Sequence, residues 1–137
     1  MTDLYGVAQF GDNETCEVAA MHDKFGFIIG EEPQLTELWQ ERYQKMKEEL
    51  REFKDGCRAN DLAEAADALI DLVVFAKGTA VMMGLPWGEL WQDVMRANMD
   101  KEPGENPNRP GHKQDLIKPE GWEGPKTQEI LDRAKQS

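Results

Sequence analysis

The chain predicts an all-α fold, an antiparallel helical bundle completed by oligomerisation and followed by an irregular C-terminal arm. Three observations carry this expectation. Apolar residues recur at steps of three and four along two stretches, a third stretch between them is almost continuously apolar, and no convincing strand pair appears anywhere. With 137 residues, 39% of them hydrophobic, the chain suffices for one compact domain. The division falls after Lys101, with a helical domain over residues 1–101 and a Pro/Gly-rich arm with a short terminal helix over 102–137.

In the first thirty residues, "TCEVAAMHDKFG" predicts a short helix before the turn-like "GEEPQ". Over residues 36–57, Trp39, Tyr43, Met46, Leu50, Phe53 and Cys57 form the stripe of an amphipathic helix, with Gly56 suited to its end. The next helix starts at Asp61, whose side chain can cap free N–H groups with Glu64 as its capping-box partner, and it runs to Met83 before Gly84. Pro86 then suits a first helical turn, and Trp87, Leu90, Trp91, Val94 and Met95 make another stripe. Beyond Lys101, "EPGENPNRPGHKQDLIKPEGWEGP" lacks an apolar period and predicts an irregular arm, and "TQEILDRAKQS" a last short helix. So few helices make a thin core unless a second subunit covers the remaining apolar faces.

Composition narrows the function classes. A net charge of −11 argues against a nucleic-acid-binding surface, whose affinity comes from Lys and Arg displacing counterions. The absence of an eighteen-residue apolar run argues against a membrane span, and the N-terminus does not look like a secretory signal, so a cytoplasmic protein is expected. Two cysteines, Cys16 and Cys57, are too few for a disulfide framework. His22 and His112 read as structural or exposed. Neither follows a Glu by three residues, which sets aside a di-iron carboxylate bundle.

The unusual feature is "DLAEAADALIDLVVFAKG", residues 61–78, where Glu64, Asp67 and Asp71 interrupt a helix expected to be buried almost all round. Spaced at i, i+3 and i+7, the three share one face. The preceding helix adds more carboxylates, Glu48, Glu49 and Glu52, and a short connection returns the chain antiparallel, so both acidic edges can meet. A buried carboxylate costs several kcal/mol unless a proton, cation or metal compensates, and hard divalent ions favour all-oxygen surroundings. Two readings stand here, a metal site and a solvated charge face. "EELRE" alone usually means the second, and Glu64 alone is explained as a cap partner, whereas the apolar neighbours of Asp67 and Asp71 favour the first.

"EELRE" (48–52) and "EAAD" (64–67), followed by "LIDLVVF", resemble the EExxE and ExxD motifs of the MazG-like all-α nucleoside triphosphate pyrophosphohydrolases. The resemblance runs through "VMRANMDK" (94–101), covering about residues 20–101, and "MHDKFGF", "GTAVMMGLP" and "ANMDK" look like bacteriophage members, including the cyanophage MazZ type that acts on guanine nucleotides. It implies that Glu49, Glu52, Glu64 and Asp67 bind Mg²⁺ or Mn²⁺, with Glu48 beside them. It further implies that Glu49 or Glu52 activates water and that Asn98 and Lys101 contact the triphosphate. Asp71 lies outside the short motif, and Arg96 is a weaker phosphate candidate. The implied reaction is hydrolysis of a (d)NTP, dGTP or GTP first and dUTP or dCTP as alternatives, to the monophosphate and pyrophosphate. The implied assembly is a homodimer or tetramer, in the host cytoplasm for a phage-encoded chain. Phe25, Phe27, Trp39 and Trp122 are aromatic candidates for the base pocket, although aromatics at helical spacing are more often core. The competing class is a non-catalytic acidic interaction protein, which a stabilising response to Mg²⁺ or Mn²⁺ would set aside.

Overall fold

A computed structural model describes residues 11–136. Five helices appear among them, α1 (Asn13–Phe25), α2 (Trp39–Arg58), α3 (Leu62–Met82), α4 (Trp87–Met99) and α5 (Thr127–Gln136). The all-α expectation holds, with one addition. Within the arm, β1 (Glu102–Pro103) and β2 (Leu116–Ile117) form a minimal antiparallel pair, Glu102 opposite Ile117 and Pro103 opposite Leu116. Two-residue strands carry no alternation for a sequence reading to detect.

Each helix begins and ends for a local reason. Asp12 Oδ1 accepts the Thr15 N–H at 2.6 Å to start α1, and Gly26, with φ of 72°, ends it. Asp61 Oδ1 accepts the Glu64 N–H at 3.1 Å and starts α3 as expected, while Gly84, at φ 62°, follows its end. Gly56 corrects the reading. It lies inside α2, which continues to Arg58, and its missing side chain serves packing: a Cβ there would sit 2.8 Å from the Ala65 backbone nitrogen. Gly56→Ala should therefore destabilise the protein, because overpacking of about 1–3 kcal/mol outweighs the roughly 1 kcal/mol that Ala gains over Gly in a helix interior. A denaturant midpoint equal to or above that of the wild type would contradict this close approach.

Helices α2 and α3 lie antiparallel, tied at one end by Gly56 against Ala65 and at the other by Arg42. The buried Arg42 donates from Nε to Thr79 Oγ1 at 3.0 Å and from Nη2 to the Phe75 carbonyl at 3.1 Å. The core lies where α1 crosses the C-terminal half of α3, around Cys16, Val18, Ala19 and Val81, with Met21, Ile29 and Val74 against them. Lys77 secures the same crossing, bonding both Asp12 oxygens at 3.1 Å and Thr15 Oγ1 at 3.0 Å.

The sequence stripes are less buried than expected. Trp39, Tyr43 and Leu50 of α2 are exposed, as are Leu62, Leu69, Ile70 and Val73 of α3, Leu62 by 83%. The reason is the number of covering elements. Within one chain, α2 covers one side of α3 and α1 only its later half. Helix α4 packs instead on α5 and the arm, through Trp122 Nε1 donating to the Ala97 carbonyl at 2.7 Å and Arg96 donating to Gly124 O at 3.0 Å. No described helix is long and apolar enough to cross a membrane.

Candidate active site

The antiparallel course of α2 and α3 sets the EELRE segment beside the middle of α3. Glu49 is the pivot. Its side chain is half-buried, and Oε2 is sealed from solvent with no hydrogen-bond partner. Its carboxyl is pushed up to about 7, first by burial, then by the Glu52 carboxylate facing it, and further by the charges of Asp71 and Glu48. The contact with Glu52 is a hydrogen bond only while one of the two holds a proton. Once both ionise, the Glu49 carboxylate faces like charge and its Oε2 has no donor.

The converging set is thus Glu49, Glu52, Glu48 and Asp71. Asp71 enters more directly than the sequence motif suggests, since its charge reaches Glu49 across the helix pair. The signal was present in its spacing, seven residues after Glu64 and four after Asp67, on one helical face. Glu64 and Asp67 lie on α3 nearer its N-terminus. Both are exposed, as is Asp71, so the expected burial of this triad is not found in the single chain. The explanation is again the uncovered first half of α3.

Among the described residues, no three His, Cys, Asp or Glu side chains are grouped so as to hold a metal ion as they stand. The chemistry of the donors nevertheless fits a hard divalent cation. All are carboxylates, and one buried oxygen lacks a donor while facing like charge. A proton or a cation relieves that arrangement.

The remaining candidates fall elsewhere. Asn98 is half-buried near the end of α4, and Lys101 follows that helix with its ammonium 5.3 Å from the centre of the Trp122 ring. Neither is joined to the acidic set by a hydrogen bond or ion pair. Arg96 holds the arm and pairs with Asp93 at 3.0 Å, which accounts for it without phosphate. His22 is buried, its Nδ1 3.0 Å from the Ile28 carbonyl, and His112 is exposed, as expected. Of the aromatic candidates, Phe25, Phe27 and Trp39 are exposed in the single chain, whereas Trp122 is half-buried.

The fold is an all-α hairpin with carboxylates on both of its long helices, and the sequence comparisons give its family. The family model described as phosphoribosyl-ATP pyrophosphohydrolase matches residues 18–98, well over half of the chain. The chain belongs to this family, which is related to the MazG-like all-α pyrophosphohydrolases, and pyrophosphohydrolase chemistry on a nucleotide is its class of activity. The matched span contains α2, α3 and every carboxylate of the candidate site and ends at Asn98, before Lys101 and the arm. Compared with curated proteins, the chain has no match.

Proposed function

We propose that this protein is a divalent-metal-dependent nucleoside triphosphate pyrophosphohydrolase. It adds water at the α-phosphorus of a (d)NTP, breaking the bond to the bridging oxygen and giving a (d)NMP and pyrophosphate. The observation that carries this is the sealed, donorless oxygen of Glu49 among Glu52, Asp71 and Glu48, in a chain of this family. Glu49, Glu52, Glu64 and Asp67 would hold Mg²⁺ or Mn²⁺, with Glu48 and Asp71 adjoining. When bound, such an ion supplies charge neutralisation for the polyphosphate and a lowered pKa for water.

The chain's own groups do the rest. Glu49 or Glu52 orients the water and accepts its proton, the two carboxylates facing each other on α2. Asn98 and Lys101 hold the phosphate chain. A guanine nucleotide is the first choice of substrate, on the sequence resemblance to phage members. Phosphoribosyl-ATP is the second reading, favoured by the description of the matching family model. The exposed apolar faces of α2 and α3 support a homodimer or tetramer as the working form.

A purely interaction-based role would not require a carboxylate oxygen buried against like charges. Chromatography of a panel of common ribo- and deoxyribonucleoside triphosphates and phosphoribosyl-ATP, incubated with Mg²⁺ or Mn²⁺ and with EDTA, decides between the readings. The expected products are a nucleoside monophosphate, or its phosphoribosyl derivative, and intact pyrophosphate, only with metal. Release of orthophosphate from a preparation free of pyrophosphatase, or an unconsumed panel, would overturn the assignment.

A further inference from the structure

The arm beyond the matched span contains a cationic pair that the helical motifs do not explain. In the β1–β2 register Glu102 lies opposite Ile117, so Lys101 and Lys118 occupy the next cross-strand position outward. Both ammonium groups gather at one indole, Lys101 Nζ 5.3 Å and Lys118 Nζ 5.0 Å from the ring centre of Trp122. The ring is anchored by its N–H on the Ala97 carbonyl, at the end of the helix that carries Asn98.

Like charges brought near each other at the end of a strand pair are unfavourable, and the indole offsets only part of that cost. Neither lysine forms an ion pair with a carboxylate of the described residues, although the protein carries a net charge of −11. Nearby Asp100 is turned to Arg96 instead, at 3.5 Å. Two lysines over one indole, neither in an ion pair among the described residues, are available to an anion.

We propose that Lys101 and Lys118, carried on Trp122, form a polyphosphate clamp, and that the arm thereby supplies a second phosphate-binding lysine to the reaction. This rests on the proposed function for its place in catalysis, but the clamp itself is testable without turnover. Trp122 is a positioning residue here, since both ammonium groups stand over its ring and its N–H is held by Ala97.

The probe is inorganic tripolyphosphate without metal, followed by calorimetry at low salt and again in the physiological range. Wild-type protein should bind it, and Lys118→Ala should weaken binding about tenfold, the scale of one charge-assisted hydrogen bond. Lys118→Arg should retain most of the affinity, Trp122→Phe should keep more than Trp122→Leu, and added salt should weaken binding. In turnover, Lys118→Ala should raise KM for the nucleotide about tenfold and leave kcat within about twofold, the pattern of a lost binding contact. Absence of tripolyphosphate binding to the wild type, or equal binding by Lys118→Ala, would overturn the clamp. If tripolyphosphate binding depends on Lys118 while no nucleotide is hydrolysed, the clamp stands and the proposed reaction falls. If nucleotides are hydrolysed while Lys118→Ala leaves both binding and KM unchanged, the reverse holds.

Discussion

Glu52→Gln and Asp67→Asn should each lower metal-dependent turnover on the order of 10²–10³-fold, the scale set by removal of one preorganised electrostatic group from an active site. Both substitutions keep the side-chain shape, so circular dichroism should show unchanged helix content. Neutralising Glu52 also removes the largest charged neighbour of Glu49, which should leave metal-free stability equal or higher. Asp71→Asn is the informative companion, because the structure places that charge within the influence of Glu49 whereas the sequence motif omits it. A loss comparable to that of Asp67→Asn would place Asp71 in the working site. Near-wild-type rates in both Glu52→Gln and Asp67→Asn would dismiss the carboxylate assignment.

The second large effect is a pH-dependent gap between wild type and Glu49→Gln in chelator. Glu49 keeps its proton up to about 7 in the folded chain, against an ordinary value of 4.5. Between those values the folded state binds more protons than the unfolded one, so this group makes stability fall as pH rises through the interval. His22 acts in the opposite direction. Burial, with Arg42 nearby, holds it below 6.5, and its contribution to stability rises with pH up to that value. The difference between the two proteins removes the histidine from the comparison. Relative to Glu49→Gln, the wild type should lose thermal stability from about pH 5 to about pH 8, and saturating Mg²⁺ should restore it most at the upper end. Parallel pH profiles without metal would show that Glu49 ionises normally.

Much of the architecture was legible because helix signals are local. The Asp61 cap, Gly84 past the end of α3 and the span of α4 all sit where periodicity and capping put them. Burial was less legible, since an apolar stripe reveals which face seeks cover but not what covers it. Leu62 and Ile70 read as core and stand exposed in one chain, while the residues of α2 that are buried are Arg42 and Gly56, neither of which a hydrophobic pattern selects. The site followed the same division. The acidic segments of α2 and α3 were recognisable from spacing, but the distinct state of Glu49 depends on antiparallel register, which brings Asp71 toward it. Lys118 was hidden for another reason, because its relation to Lys101 exists only through a two-residue strand pair.

The crossing of α1 over α3 has a consequence for cooperativity. Helix ends ordinarily fray, opening and closing with little energetic cost to the rest of the molecule. Asp12, however, both caps α1 and is the counter-ion of the buried Lys77. Unwinding the first turn would take Asp12, Glu14 and Thr15 away from the buried Lys77 ammonium together, leaving it the Trp87 ring. The beginning of α1 therefore shares the opening free energy of the interior, and secondary structure and docking form there as one event. This end of the molecule is a rigid abutment for α3, the helix that carries half of the acidic site.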